Sequence, residues 1–257
     1  MLRKTPERLK KVIRPFYYGF YRVRLFFLNS FVYKSRIRCA QEIPIVINNR
    51  NRLTFLRRLI ASLEIRGYKN IFILDNDSTY PPLLEFYRTC PYSVTYLGNN
   101  YGWDAIWRSG VYRRFYRDYY VYTDSDLELI EECPDDFLDV FLERMKADFS
   151  IMKIGLSLKL DDIPDHYIHK ESVIRWEQQF YVKRVDERFF QSNVDTTFAL
   201  YRPGVIEGAN IYLKMYRSAF PYEVRHLPWY LDTNSLDEEE MYYIKHAQRK
   251  THWTEVH

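Results

Sequence analysis

The chain has 257 residues, 47% of them hydrophobic, and a formal net charge of +4, enough apolar content for one sizeable core. Mean hydropathy is −0.44 and no apolar run nears the ~18 residues of a membrane-crossing helix, so none is expected; a secretory signal peptide is not expected either. Three widely spaced cysteines, Cys39, Cys90 and Cys133, argue against a disulfide framework or a zinc site and suit a reducing cytoplasm.

Residues 1–40 hold eleven Lys or Arg and one acid, Glu7, a net +10 that leaves −6 on the rest of the chain. Phe16, Tyr17, Tyr18, Phe20, Tyr21, Phe26, Phe27 and Phe31 are interleaved with these charges. The pattern predicts one or two basic helices, with Pro15 separating a polar first helix from an aromatic second part. Such a segment suits an anionic membrane surface, with the protein peripheral on its inner, cytoplasmic face. Packing against the body or a partner subunit is the alternative, and a homo-oligomer is left open. The body, residues 41–257, is net acidic, so nucleic acid is not an expected partner; a nucleic-acid-binding module would use the leader alone.

From residue 43 onward strands and helices alternate. Ile43–Ile47 reads as a buried strand, Leu53–Arg66 as a helix stopped by Gly67, and Asn70–Leu74 as a second strand. Pro82–Arg88 reads as a short helix, Ser93–Leu97 as a third strand, Gly102–Arg117 as a helix and Tyr119–Thr123 as a fourth strand. Continuous apolar strands joined by helices predict an α/β fold with a mostly parallel central sheet covered on both faces by helices. The second half is less regular. Asp135–Lys146 reads as a helix, Phe149–Ile154 as a strand and 159–175 as a mobile loop. Gln179–Lys183 and Thr196–Tyr201 read as strand-like, and Leu236–Lys250 as a helix.

Ligands on such sheets bind beyond the carboxyl ends of the strands. Asn48-Asn49-Arg50, Asp75-Asn76-Asp77 and Asp124-Ser125-Asp126 all fall there. Two carboxylates one residue apart, after Tyr119-Tyr120-Val121-Tyr122-Thr123, can share one divalent cation, Mn2+ or Mg2+, with a substrate diphosphate. An Asp-x-Asp alone is common by chance, and its structural alternative is a solvated strand-end turn.

The succession Ile45-Val46-Ile47-Asn48-Asn49-Arg50-Asn51-Arg52, Ile73-Leu74-Asp75-Asn76-Asp77-Ser78-Thr79, Asn99-Asn100-Tyr101-Gly102-Trp103 and Tyr122-Thr123-Asp124-Ser125-Asp126 resembles a family 2 glycosyltransferase with the GT-A fold. The resemblance covers residues 43–130 well and the remainder loosely. It implies a nucleotide-sugar-binding half, 41–130, and an acceptor-binding half, 131–257. The nucleotide-sugar donor, a UDP-sugar by this reading, would be held by Asn49, Arg50, Asp75, Asp77, Asn100, Gly102 and Asp124. The cation would be held by Asp124 and Asp126. The family's usual Thr-Tyr-Asn-Arg reads Asn48-Asn49-Arg50 here, without the aromatic. Several GT-A enzymes complete the metal shell with a late His, and His226 in His226-Leu227-Pro228-Trp229-Tyr230 is the candidate; a structural role is the alternative.

Transfer also needs a base for the acceptor hydroxyl. The segment Glu187–Leu200 resembles the base-bearing region of rhamnosyltransferase-like members, which points to Asp195, with acceptor contact or a structural role as alternatives. Glu239, with Glu238 and Glu240, is the rival, although acids there also suit a helix start. The expected function is metal-dependent, inverting transfer to a glycan or lipid-linked acceptor in surface polysaccharide or glycan synthesis. A retaining transferase of the same fold and a sugar nucleotidyltransferase are the alternatives, and the latter would ordinarily show a Gly-rich phosphate loop.

Overall fold

The computed structural model describes residues 7–194, 198–205, 213–232 and 234–247. Helix α1, Glu7–Phe27, leads into a π-helical turn, Leu28–Val32. Pro15 lies inside α1, which corrects the expected break. Proline removes one ladder hydrogen bond, and here the helix runs through that loss.

The first half then builds β1 (Ile45–Asn49), α2 (Thr54–Glu64), β2 (Ile71–Asp75), α3 (Pro81–Thr89), β3 (Ser93–Tyr96), the short α4 (Ala105–Arg108) and β4 (Tyr120–Asp124). Every residue of β1 is buried, the signature of a strand covered on both faces. Helix α2 buries Phe55, Leu56, Leu59, Ile60 and Leu63 on one stripe. It stops at Gly67, whose φ of +81° is left-handed and favours glycine. The second half adds β5 (Leu127–Leu129), α5 (Phe137–Ala147), β6 (Ile151–Gly155), β7 (Ser157–Leu158), α6 (Lys170–Gln178), β8 (Phe189–Gln191), β9 (Ala199–Tyr201), β10 (Lys214–Ser218), β11 (Glu223–His226) and α7 (Glu238–Lys245).

The large sheet has the order β3-β2-β1-β4-β9-β6-β10-β8. Strands β3, β2, β1 and β4 are mutually parallel, as expected, and β6 is parallel to β10. The sheet is mostly parallel, as expected, with β8 antiparallel to β10 and β9 running antiparallel between β4 and β6. Strand β9 therefore begins, at Ala199 opposite Tyr122, on the edge where β4 ends. Strands β5, β11 and β7 form a second, three-stranded sheet. The main core cluster takes residues from both halves, from Ile45 and Leu56 to Phe198 and Trp229, so burial joins them.

Three further expectations are corrected. Gly102–Arg117 is a chain of short turns and α4, because Gly110, at φ +81°, ends that helix. The segment 159–175 runs into α6. That helix buries Val173 and also Glu177, whose carboxylate pairs with buried Arg217 at 2.6 Å; a buried charge reads as polar in sequence and hides the face. Gln179–Tyr181 is a 3-10 turn, and the strand of this region is β8.

Candidate functional site

The carboxyl ends of β1, β2 and β4 meet one turn, Asn100–Gly102, through amide side chains. Asn48 Nδ2 donates to the Gly102 carbonyl at 3.3 Å and to Asp124 Oδ1 at 3.2 Å. Asn76 Nδ2 donates to the same carbonyl at 3.0 Å, and its Oδ1 accepts the Tyr101 N–H at 2.8 Å. Asn100 Oδ1 accepts the Gly102 N–H at 3.0 Å. Gly102 sits at φ +81°, where any side chain is strained. The ends of β1 and β2 are thus tied to the turn that follows β3, and Asn48 links the end of β4 to them.

A cleft of about 540 Å3 opens on this edge. Asp124, Ser125 and Asp126 line one side, the Tyr101–Asp104 segment another, and Arg50, Arg52 and Arg108 bring positive charge. Helix α7 adds Tyr243, and Ala247 follows it at the rim. Arg52 lies 3.9 Å over the Tyr243 ring. Its Nη2 meets Glu240 at 3.0 Å and its Nη1 lies 3.6 Å from Asp126. Arg50 Nη1 donates to the His246 carbonyl at 3.0 Å, so the end of α7 is fastened to the end of β1. Tyr101, Trp103 and Tyr243 give the cleft the aromatic rings that the first strand end lacks.

His226 stands beside the acidic pair for a topological reason. Strand β11 pairs with β5 so that His226 faces Leu127, and the Leu227 N–H donates to the Asp126 carbonyl at 2.8 Å. His226 Nε2 lies 3.5 Å from Asp126 Oδ2. Burial raises the Asp126 carboxyl, but the His226 and Arg52 charges and the His226 hydrogen bond outweigh it and hold the carboxyl at about 2. Asp126 is therefore a carboxylate at neutral pH, the form that binds a cation. Among the described residues no three His, Cys, Asp or Glu side chains gather as a metal-holding group. The donor set thus fits a cation held by one or two carboxylates and completed by substrate phosphates and water, and does not fit an all-protein cage. His226 stands beside Asp126, within reach of the acidic pair.

Of the other expected donor residues, Arg50, Asn100, Gly102 and Asp124 line the cleft. Asn49, Asp75 and Asp77 stand outside that lining. Asn49 Nδ2 donates to the Tyr87 hydroxyl at 2.8 Å. Asp75 Oδ2 accepts the Ser78 N–H at 3.2 Å, and burial raises its carboxyl against the hydrogen bonds from Ser78 and Tyr87. Asn49 and Asp75 are thereby tied to Tyr87 and Ser78. Asp77 occupies a left-handed turn, φ +68°, and its charge also raises the Asp75 carboxyl.

Glu239 meets the start of α2. Its carboxylate accepts the Leu53 N–H at 2.7 Å, the Thr54 N–H at 2.8 Å and the Thr54 hydroxyl at 3.0 Å. It caps α2 from a distant part of the chain and lies outside the cleft lining. Burial pushes Glu240 up to about 7, against the Arg52 charge. Asp195 lies outside the described residues.

Sequence reasoning missed Asn76, Arg52, Arg108, Trp103 and Tyr243 as site residues. Asn76, Arg52 and Trp103 lie inside the strand-end and turn motifs, beside or near Asp75, Arg50 and Gly102. Tyr243 had no local signal, because a fold contact across the chain brings it to Arg52.

The fold and cleft define an α/β protein with a paired-carboxylate, arginine-lined cleft at the carboxyl edge of its sheet. No family model and no curated protein matches the chain. Among solved structures it is similar to GalNAc-T7 with UDP, GalNAc and Mn2+, at 13% identity and a TM-score of 0.48, over 79% of this chain and 50% of that one. It is also similar to glucosyl-3-phosphoglycerate synthase from Mycobacterium tuberculosis in complex with Mn2+ and UDP-glucose, at 14% identity and a TM-score of 0.40, over 71% of this chain and 60% of that one. A cytidylyltransferase from Leptospira borgpetersenii serovar Hardjo-bovis is similar at 15% identity and a TM-score of 0.33, over 53% of this chain and 71% of that one. The chain spans no more than 60% of the first two proteins.

Proposed function

We propose that this chain is a divalent-cation-dependent glycosyltransferase of the GT-A kind, with a nucleotide-sugar donor. The observation that carries the reading is Asp124 and Asp126 at the end of β4, in one cleft with Arg50, Arg52 and Arg108. Carboxylates without arginines would suit a bare cation, and arginines without carboxylates would suit a bare anion; together they suit a metal-bound diphosphate.

Asp124 and Asp126 would hold the cation, Mn2+ or Mg2+. When bound, it neutralises charge on the departing nucleoside diphosphate. Arg50 and Arg108 bind the phosphates, the Asn100–Gly102 turn meets the ribose, and Tyr101 and Trp103 offer faces to base or sugar. His226 holds Asp126 in place. Asp195, in inverting transfer, takes the proton from the acceptor hydroxyl of a glycan or lipid-linked acceptor. In the same proposal the reaction runs beside an anionic membrane surface on its cytoplasmic side, in surface glycan assembly.

The test is calorimetric titration of UDP with and without Mn2+, alongside transfer from UDP-sugars. Asp124→Asn and Asp126→Asn should abolish metal-dependent UDP binding and transfer, with the thermal unfolding profile retained. Unchanged UDP affinity in both variants, or full transfer in excess EDTA, would refute the reading.

A further inference from the structure

The leader helix has two unlike faces. Leu25, on one, is 1% exposed and packs with Met152, Val205 and Leu213. Asn29 Nδ2 continues this contact by donating to the Pro203 carbonyl at 3.2 Å. The other face carries Phe16, Phe20, Val23, Phe27 and Phe31 at helical spacing, and all are exposed, Phe16 at 78% and Phe20 at 63%. Scattered exposed apolar residues are ordinary, but a continuous aromatic stripe is not. Arg22, Arg24, Lys34, Arg36 and Arg38 are exposed in the same segment.

We propose that this stripe is an interfacial docking face for an anionic phospholipid bilayer, with the rings in the headgroup layer and the cations on lipid phosphates. The proposal deepens the membrane part of the preceding reading and does not depend on the chemistry in the cleft. Charge complementarity selects the occupant. Residues 1–40 carry +10, so a symmetric contact between two copies would set like charges against each other. Among the described residues no helix is long and apolar enough to cross a membrane, so the helix lies on the bilayer.

The fold also sets the orientation. The helix and its following turn touch the chain where strands β4 and β6 begin. Phe26 meets Phe149 at 5.2 Å, Tyr33 meets Tyr116 at 5.8 Å, and the Arg36 N–H donates to Asp118 at 2.8 Å. The cleft lies at the other end of β4. Five strand residues separate the two edges by roughly 15 Å, so the cleft lies off the docked face.

The experiment is co-sedimentation of the full chain with phosphatidylcholine vesicles, with and without phosphatidylserine, at low and high salt. Binding is expected only with phosphatidylserine and should fall at high salt. Phe20→Glu with Phe27→Glu should weaken partitioning roughly tenfold or more, and Arg22→Gln with Arg24→Gln should weaken it without touching the rings. UDP binding and thermal unfolding should be unchanged in both pairs. Failure of the native chain to bind anionic vesicles would overturn the membrane reading as a whole. Binding retained by both variant pairs would overturn the assignment of this face. A dimer in sedimentation velocity that the Phe→Glu pair dissolves would show that a second copy covers it.

Discussion

Replacing Glu239 separates a structural carboxylate from a catalytic one. The opening amides of a helix lack intrahelical partners, and Leu53 and Thr54 give theirs to Glu239 at 2.7 and 2.8 Å. A hydrogen bond to a charged group contributes about 1.5–3 kcal/mol. Two amides and the Thr54 hydroxyl share this carboxylate, and Thr54 is exposed, so water recovers part of the loss. Glu239→Ala should therefore cost about 2–3 kcal/mol in urea unfolding. At about 2–4 °C per kcal/mol for a chain of this size, the melting midpoint should fall by roughly 5–10 °C. Glu239→Gln keeps one acceptor oxygen and loses the charge, so about 1 kcal/mol is expected. Both are read by circular dichroism, with UDP binding measured on the same samples. If Glu239→Ala melted with the native protein while transfer was lost, the capping argument would be wrong and a catalytic role would stand.

Burial raises the Glu223 carboxyl from 4.5 to about 7, although Lys159 lies 3.8 Å away. The folded state then holds a proton that the unfolded state releases, so this contribution is complete below pH 4.5 and is lost as pH rises through about 7. Urea unfolding across that window should show stability declining by at most about 3 kcal/mol from this group, and Glu223→Gln should flatten part of the slope; Glu240, also at about 7, adds to it. An unaltered slope in the variant would exclude Glu223 as a source. Asn76→Ala removes two of the bonds that hold the Asn100–Gly102 turn. It should weaken UDP binding by roughly tenfold, about 1.4 kcal/mol, while vesicle binding stays as in the native chain. Native affinity for UDP in this variant would show that the turn does not position the nucleotide.

Strands β1, β2 and β4 were legible because each is a short, largely apolar run that ends in a polar residue, and burial on both faces demands that pattern. The acidic pair was legible for a related reason: Asp124 and Asp126 follow Tyr120–Thr123, and a strand end is where a parallel sheet exposes polar groups. The later strands were harder. Strand β9 is three residues long and antiparallel, and α6 buries Glu177 against Arg217, a pairing that no local hydropathy pattern records. Sequence alone decided which residue types reach the carboxyl edge. Tertiary structure decided what they do there. The register of β11 against β5 sets His226 beside Asp126. Helix α7 returns to turn Glu239 into the cap of α2 and Tyr243 into a wall of the cleft. These contacts join residues far apart in the chain, and their energy depends on the whole core being in place, so no window of sequence contains them.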